Sequence, residues 1–361
     1  MRVYECAIIG GGIAGLQAAI QLGRYRHSVV VVDAGDGRST LCREYHNLLG
    51  WPDGVSGEAL RRTGREQAGR YGVTFIAGFA TAVRRETPCS TRGTSAGAED
   101  GRTGTGSPSA GNGTKAAGDG GMERGTDEGT DGARGGGTEE DGVFVVTLAD
   151  GAEVRALRLL IATGVKDRIP DWPELRDCLG LTVFICPDCD GWEAAGRRTL
   201  VLGAGDAGAN LALELLPWTR DIVYVNHERK PPDPAAVVRL REAGIPMIDV
   251  PVGKLLAEDG RLRGVVLADG AVLEAERAFL GFGGNEVRSQ LAAMLGARLS
   301  PNRHVEVDPR TKLTSVPHVW AAGDVTVHSE QAAIAMGDGL QAAIWMHKSL
   351  TTREPLPAAK P

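Results

Sequence analysis

One pattern occurs twice in this chain: a short apolar run, a glycine-rich turn, an Ala/Leu-rich stretch and a second apolar run. The first copy is VYECAIIGGGIAGLQAAIQLGRYRHSVVVVD and the second is RTLVLGAGDAGANLALELLPWTRDIVYVNHE. This order constrains the fold more than any other feature. The apolar runs have the length of buried strands, and each glycine turn opens a stretch with helical spacing, so each copy reads as a β-α-β unit. Two such units in one chain predict two dinucleotide-binding domains. The expected fold class is α/β, with two Rossmann-like three-layer domains.

The glycines carry the chemistry of these turns. In Gly10-x-Gly12-x-x-Gly15, Gly10 permits the tight turn, Gly12 lets the backbone approach a pyrophosphate, and Gly15 lets helix and strand pack closely. The helix amides then face the phosphates. Asp33 closes the second strand, where an acid binds a ribose hydroxyl. The second turn, Gly203-x-Gly205-x-x-Gly208, leads to a strand that ends in VNHERK. There Glu228 suits a ribose 2′-hydroxyl and NADH, whereas Arg229 and Lys230 suit a 2′-phosphate and NADPH, so both donors stay open. Gly323-Asp324 lies at another strand end before a helix. In a protein with two nucleotide sites, Asp324 is placed to hold the ribityl chain of a flavin. The helix starting near Gln331 would aim its positive end at the isoalloxazine C2 carbonyl.

Six cysteines occur in 361 residues, and two form the stretch CPDCDG, Cys186 and Cys189. A structural zinc site needs four ligands. Cys6, Cys42, Cys89 and Cys178 are scattered singly and no His lies near the pair, so no metal is expected. A CxxC ring is short, and its thiols titrate low near a helix N-terminus. A redox-active pair is the leading reading, with a structural pair as the alternative.

Hydrophobic residues make up 42% of the chain, charged residues 24%, and the net charge is −6. That is a globular composition without a basic stripe, so neither nucleic acid nor membrane is an expected partner. No leader pattern and no bilayer-length apolar run is visible, which predicts a cytoplasmic protein. Residues 90–142 are dominated by Gly, Ser, Thr, Ala and charged residues, with Met122 as the one large apolar residue. Such a segment cannot bury enough apolar surface to offset its ordering entropy, so it reads as a disordered insertion at a hairpin tip.

Taken in order, GGGIAG, ATG at 162–164, CPDCDG at 186–191, GAGDAG at 203–208 and GDV at 323–325 resemble the low-molecular-weight thioredoxin reductases and their relatives. These are FAD-dependent pyridine nucleotide-disulfide oxidoreductases. The resemblance implies a discontinuous FAD domain, 1–166 plus 283–361, with an NAD(P) domain, 167–282, inserted in it and carrying the CxxC. It implies that Cys189 faces the flavin, that Cys186 attacks the substrate disulfide, and that Asp190 handles thiol protons. Ala14, Ala162, Thr163, Gly164, Asp206, Gln331 and Ala332 fall in cofactor-binding motifs. It also implies a homodimer, and a domain rotation about hinges near 165–170 and 281–285, because nicotinamide and cysteine pair cannot face the flavin together. The chain departs from the family at His227-Glu228-Arg229, where His-Arg-Arg is usual, and at Ser329-Glu330-Gln331-Ala332, where Tyr-Arg-Gln-Ala is usual.

The expected function is electron transfer from NADPH or NADH, via FAD and Cys186–Cys189, to a thioredoxin-like protein or small-molecule disulfide. The alternative is an FAD-dependent dithiol oxidase that forms disulfides in small molecules with oxygen as acceptor. A flavin-binding redox sensor that docks a partner through residues 90–142 is a third class.

Overall fold

The computed structural model describes residues 2–86 and 142–351. The glycine-rich segment read as a disordered insertion lies outside the described residues, Gly142 excepted.

The first glycine unit forms β1 (Val3–Ile9), α1 (Ile13–Arg24) and β2 (Val29–Asp33), with the two strands parallel and adjacent. Their side chains alternate between two cores. Cys6, Ile8, Val29 and Val31 face one, and Ala7, Ile9, Val30 and Val32 face the other. Burial on both faces explains why these strands read as continuous apolar runs. The sheet extends through β3 (Thr74–Ala77) beyond β2. On the other side of β1 it continues through β6 (Glu153–Ile161), β5 (Val143–Leu148) and β4 (Ala80–Glu86). β4 and β5 run antiparallel with Glu86 opposite Val143, so the glycine-rich segment joins two hairpin strands. The final strand, Val319–Ala321, pairs with the last residues of β6 in place of β5. It leads to the long helix Ala332–Thr351.

The second unit forms a parallel sheet of five strands around Thr199–Gly203, Ile222–Asn226 and Arg277–Gly281. The helices Gly205–Glu214 and Pro234–Glu242 cover one face. Its other face packs against an antiparallel three-stranded sheet spanning Val252–Glu258, Arg261–Leu267 and Val272–Glu274. The third layer here is therefore a β-meander, not helices. The chain crosses between the two sheets through Val165–Lys166 and Glu286–Val287, which pair with each other antiparallel. Among the described residues no helix is long and apolar enough to cross a membrane, and no group of His, Cys, Asp or Glu is arranged to hold a metal ion.

Candidate active site

The start of α1 is built by close approach. A Cβ on Gly15 would stand 1.9 Å from the Gly10 carbonyl oxygen, so only glycine lets the helix settle on its own strand. Gly10 has φ +108°. Gly12 caps the helix without any side-chain bond, and the first turn holds no acid, so its amides remain available to an anion. A Cβ built on Gly12 would meet no atom within 4 Å. At the end of β2, the buried Asp33 carboxylate accepts from the Gly11 N–H at 3.0 Å and from Arg61 at 2.7 Å, and Arg65 joins it. The two arginines lie four residues apart on one face of the helix Gly57–Gly69, capped by Ser56. Neither is evident from the glycine motif.

This turn opens on a cavity of about 1030 Å³. Gly10, Gly12, Ala14 and Asp33 line one side of it, Ala162–Gly164 and Gly323–Asp324 another, and Gln331, Ala332, Cys186, Cys189 and Asp190 complete it. Residues from five separated stretches of sequence thus meet at one place. The glycine cradle, the free helix amides and the elongated set of lining motifs fit an FAD. Asp324 and Ala332, the first residue of the helix Ala332–Thr351, both line this space and would help hold that group.

One side chain organises the middle of the cavity. The Arg38 guanidinium donates to Asp167 at 2.6 Å, contacts Asp324 at 3.2 Å and pairs with Glu330. Asp167 is buried and follows directly on the crossing between the sheets, so Arg38 ties that crossing to Asp324 and Glu330. These neighbours raise the pKa of Arg38 despite its burial. Burial raises the pKa of Asp324, and Arg38 opposes that shift. Nearby, Arg288 makes a two-pronged bond to Asp36 at 2.9 and 2.7 Å, and Thr163 donates to the Arg288 carbonyl at 2.5 Å.

Cys186 and Cys189 are joined as a disulfide, with Cα atoms 5.3 Å apart. Cys186 caps the one-turn helix Pro187–Asp190, and its sulfur accepts from the Cys189 N–H at 3.2 Å. Across the cavity the Gln331 amide donates to Cys189 at 3.3 Å and reaches Cys186 at 3.8 Å. Burial pushes the pKa of Asp190 up to about 7, with the His46 charge opposing and Glu193 adding to the rise. Cys42 also lines the cavity, and burial pushes its thiol up to about 12, so it stays protonated.

The second glycine turn is packed on the same plan. A Cβ on Gly203 would meet the Gly281 oxygen at 2.3 Å, and one on Gly208 would meet the Tyr224 ring. Gly205 lies in the left-handed region at φ +50°. Asp206, in the first helical turn, accepts from the Asp233 N–H at 2.6 Å. The strand ends on Asn226, whose side-chain oxygen accepts from the Gly205 N–H at 3.2 Å, much as Asp33 accepts from Gly11. Glu228 lies two residues further on and is paired with Arg168. Arg229 and Lys230 are exposed on the loop beyond. The glycine turn and these two cations fit a pyridine dinucleotide, with the Lys230 stem lying against Gly205.

Fold and site together define a class: a two-site dinucleotide oxidoreductase with a disulfide beside its flavin cavity. Residues 4–339 match the family model described as pyridine nucleotide-disulphide oxidoreductase, and the chain belongs to that family. Pyridine nucleotide-disulphide oxidoreductases use FAD and NAD(P)H as cofactors. A component of the alkyl hydroperoxide reductase of Pseudomonas putida is 29% identical over 215 residues, 57% of this chain and 41% of that protein. The chain spans less than half the length of the first curated relatives it matches. Thioredoxin reductase of Aquifex aeolicus is 23% identical, with 98% of this chain and 95% of that protein covered. Among solved structures, HlmI is similar at a TM-score of 0.73 and 28% identity, covering 96% of this chain and 92% of that one.

Proposed function

We propose that the chain passes electrons from NAD(P)H, through FAD and the Cys186–Cys189 disulfide, to a thioredoxin-like protein or a small-molecule disulfide. The observation that carries this reading is the shared cavity: the cysteine pair, the first glycine turn and Asp324 line one space. Relatives named thioredoxin reductase support the choice of partner. In this reading Cys189, the sulfur nearer Gln331, is the flavin-side thiol and Cys186 attacks the substrate disulfide. Asp190 is the acid and base. Bound flavin supplies a two-electron carrier between nucleotide and disulfide. Opening the pair consumes two electrons and one proton to give a thiol and a thiolate, and exchange with the substrate returns the disulfide. The FAD domain comprises residues 1–166 and 283–361, and the NAD(P) domain 167–282. A rotation about the paired crossings brings nicotinamide and cysteines to the flavin in turn. The working unit is a homodimer.

A second reading is a dithiol oxidase that transfers electrons from a small dithiol to oxygen. It is favoured by Glu228 being engaged by Arg168 and by Asn226, not an acid, ending the second strand.

Anaerobic mixing of the flavin-loaded protein with NADPH or NADH is expected to bleach the flavin band. Cys189→Ser is expected to keep that reduction while losing disulfide turnover. Flavin that neither nucleotide bleaches, together with oxygen uptake driven by dithiols alone, would replace the first reading with the second.

A further inference from the structure

A disulfide sulfur carries no hydrogen, so the Gln331 amide can approach Cys189 only with its NH₂ group. Its carbonyl must then turn away, and it turns to Asn47, whose side-chain NH₂ donates to Gln331 Oε1 at 3.0 Å. Asn47 thus supports the orientation in which the Gln331 NH₂ faces the sulfurs. The backbone holds Gln331 in place as well, because its carbonyl accepts from Ala335 N–H at 2.9 Å and begins the helix Ala332–Thr351. Asn47 comes from the loop after the first β-α-β unit, Gln331 from the last helix, and the cysteines from the other half of the chain.

We infer that Asn47 and Gln331 form a two-amide relay that holds the Cys189 sulfur as a thiolate, with Gln331 as the donor and Asn47 as the positioning residue. The inference rests on the redox reading of the Cys186–Cys189 pair. Reduction of the disulfide by the reduced cofactor delivers two electrons, breaks the S–S bond and takes up one proton to leave Cys186 as a thiol and Cys189 as a thiolate. That sulfur gains a full negative charge where it had none. An N–H donor already at 3.3 Å from it strengthens as the charge develops, because hydrogen bonds to charged groups are roughly twice as strong as neutral ones. The relay serves either direction of electron flow, since the thiolate is the same species in a reductase and in an oxidase.

The test is the pH dependence of Cys189 alkylation in the flavin-loaded Cys186→Ser protein, located by mass spectrometry. The thiolate–flavin charge-transfer absorbance is followed in parallel. Gln331→Leu is expected to lower the Cys189 thiolate fraction about tenfold at a fixed pH below the thiol's titration, an upward displacement of about one pH unit. Asn47→Asp is expected to act in the same direction without touching the sulfur. A carboxylate at 47 only accepts, so Gln331 turns its NH₂ toward it and presents its carbonyl to Cys189. Asn47→Leu removes the orienting donor but permits either amide orientation, so its effect is expected to be smaller than that of Asn47→Asp. Identical profiles in Gln331→Leu, Asn47→Asp and the parent, with flavin still bound, would overturn the relay and leave the redox reading standing. A shifted profile in a protein whose flavin is inert to both nucleotides and dithiols removes the redox reading, and with it the relay's part in turnover, while the amide–sulfur contact stands.

Discussion

At the scale of single residues, the site is a set of groups whose charge is tuned by burial. Asp190 lies beside the disulfide with its pKa raised to about 7 by desolvation, so it carries its proton through the lower neutral range. A group in that state donates to a departing thiolate and loses the ability as pH rises through about 7. Disulfide turnover is therefore expected to fall above that pH. Asp190→Asn should remove the limb and lower the rate by about 10²-fold or more, read from a pH–rate profile. The sign for stability follows from the same shift. The folded pKa lies above the ordinary aspartate value near 3.9, so ionisation favours the unfolded chain and stability declines between about pH 4 and pH 7. Asp190→Asn should flatten that decline in a pH series of melting curves. Asp190 was legible from CPDCDG and the resemblance it carries. Arg38, Asn47 and the Arg61–Arg65 pair were not, because each reaches the site across a long sequence separation and no local spacing marks it.

At the scale of elements, the position of the cavity depends on α1 and the last helix meeting almost backbone to backbone. Gly339 is the reason they can: a Cβ there would stand 2.1 Å from the Ala14 carbonyl oxygen. Gly339→Ala is expected to force these helices apart and destabilise the protein by about 1–3 kcal/mol, as overpacked contacts do. Both helices begin at the flavin cavity, so the same change should lower the flavin-to-protein ratio. A lower melting temperature with full flavin occupancy would separate the two effects. Both β-α-β units were readable because period and glycine placement agree locally. The place of the meander Val252–Glu274 as the third layer was hidden. Strand alternation states that one face is buried and does not say what covers it. The paired crossings, Val165–Lys166 and Glu286–Val287, are two residues each and carry no period at all.

At the scale of the whole molecule, the described arrangement commits the cysteine pair to the flavin cavity. Gln331 reaches both sulfurs, the Arg43 N–H donates to the Leu179 carbonyl at 3.3 Å, and the Arg43 side chain meets Asp177 at 3.4 Å. All three contacts join the two halves of the chain. While they hold, the disulfide lines the cavity, and in the proposed reading a nicotinamide carried by the same half needs them to break. They are weak enough to do so: the Arg43–Asp177 pair is exposed on both sides, and such pairs contribute at most about 1 kcal/mol. Replacing both residues with cysteine and bridging them with a short bifunctional thiol reagent would hold the halves together, and the oxidised Cys186–Cys189 pair is protected from the reagent. The bridged protein is expected to exchange electrons between dithiols and flavin at the parent rate while its flavin no longer responds to NADPH or NADH. The unbridged double variant should keep both reactions. Equal nucleotide-driven bleaching with and without the bridge would show that no rotation separates the two half-reactions, and that the nicotinamide reaches the flavin in the arrangement described.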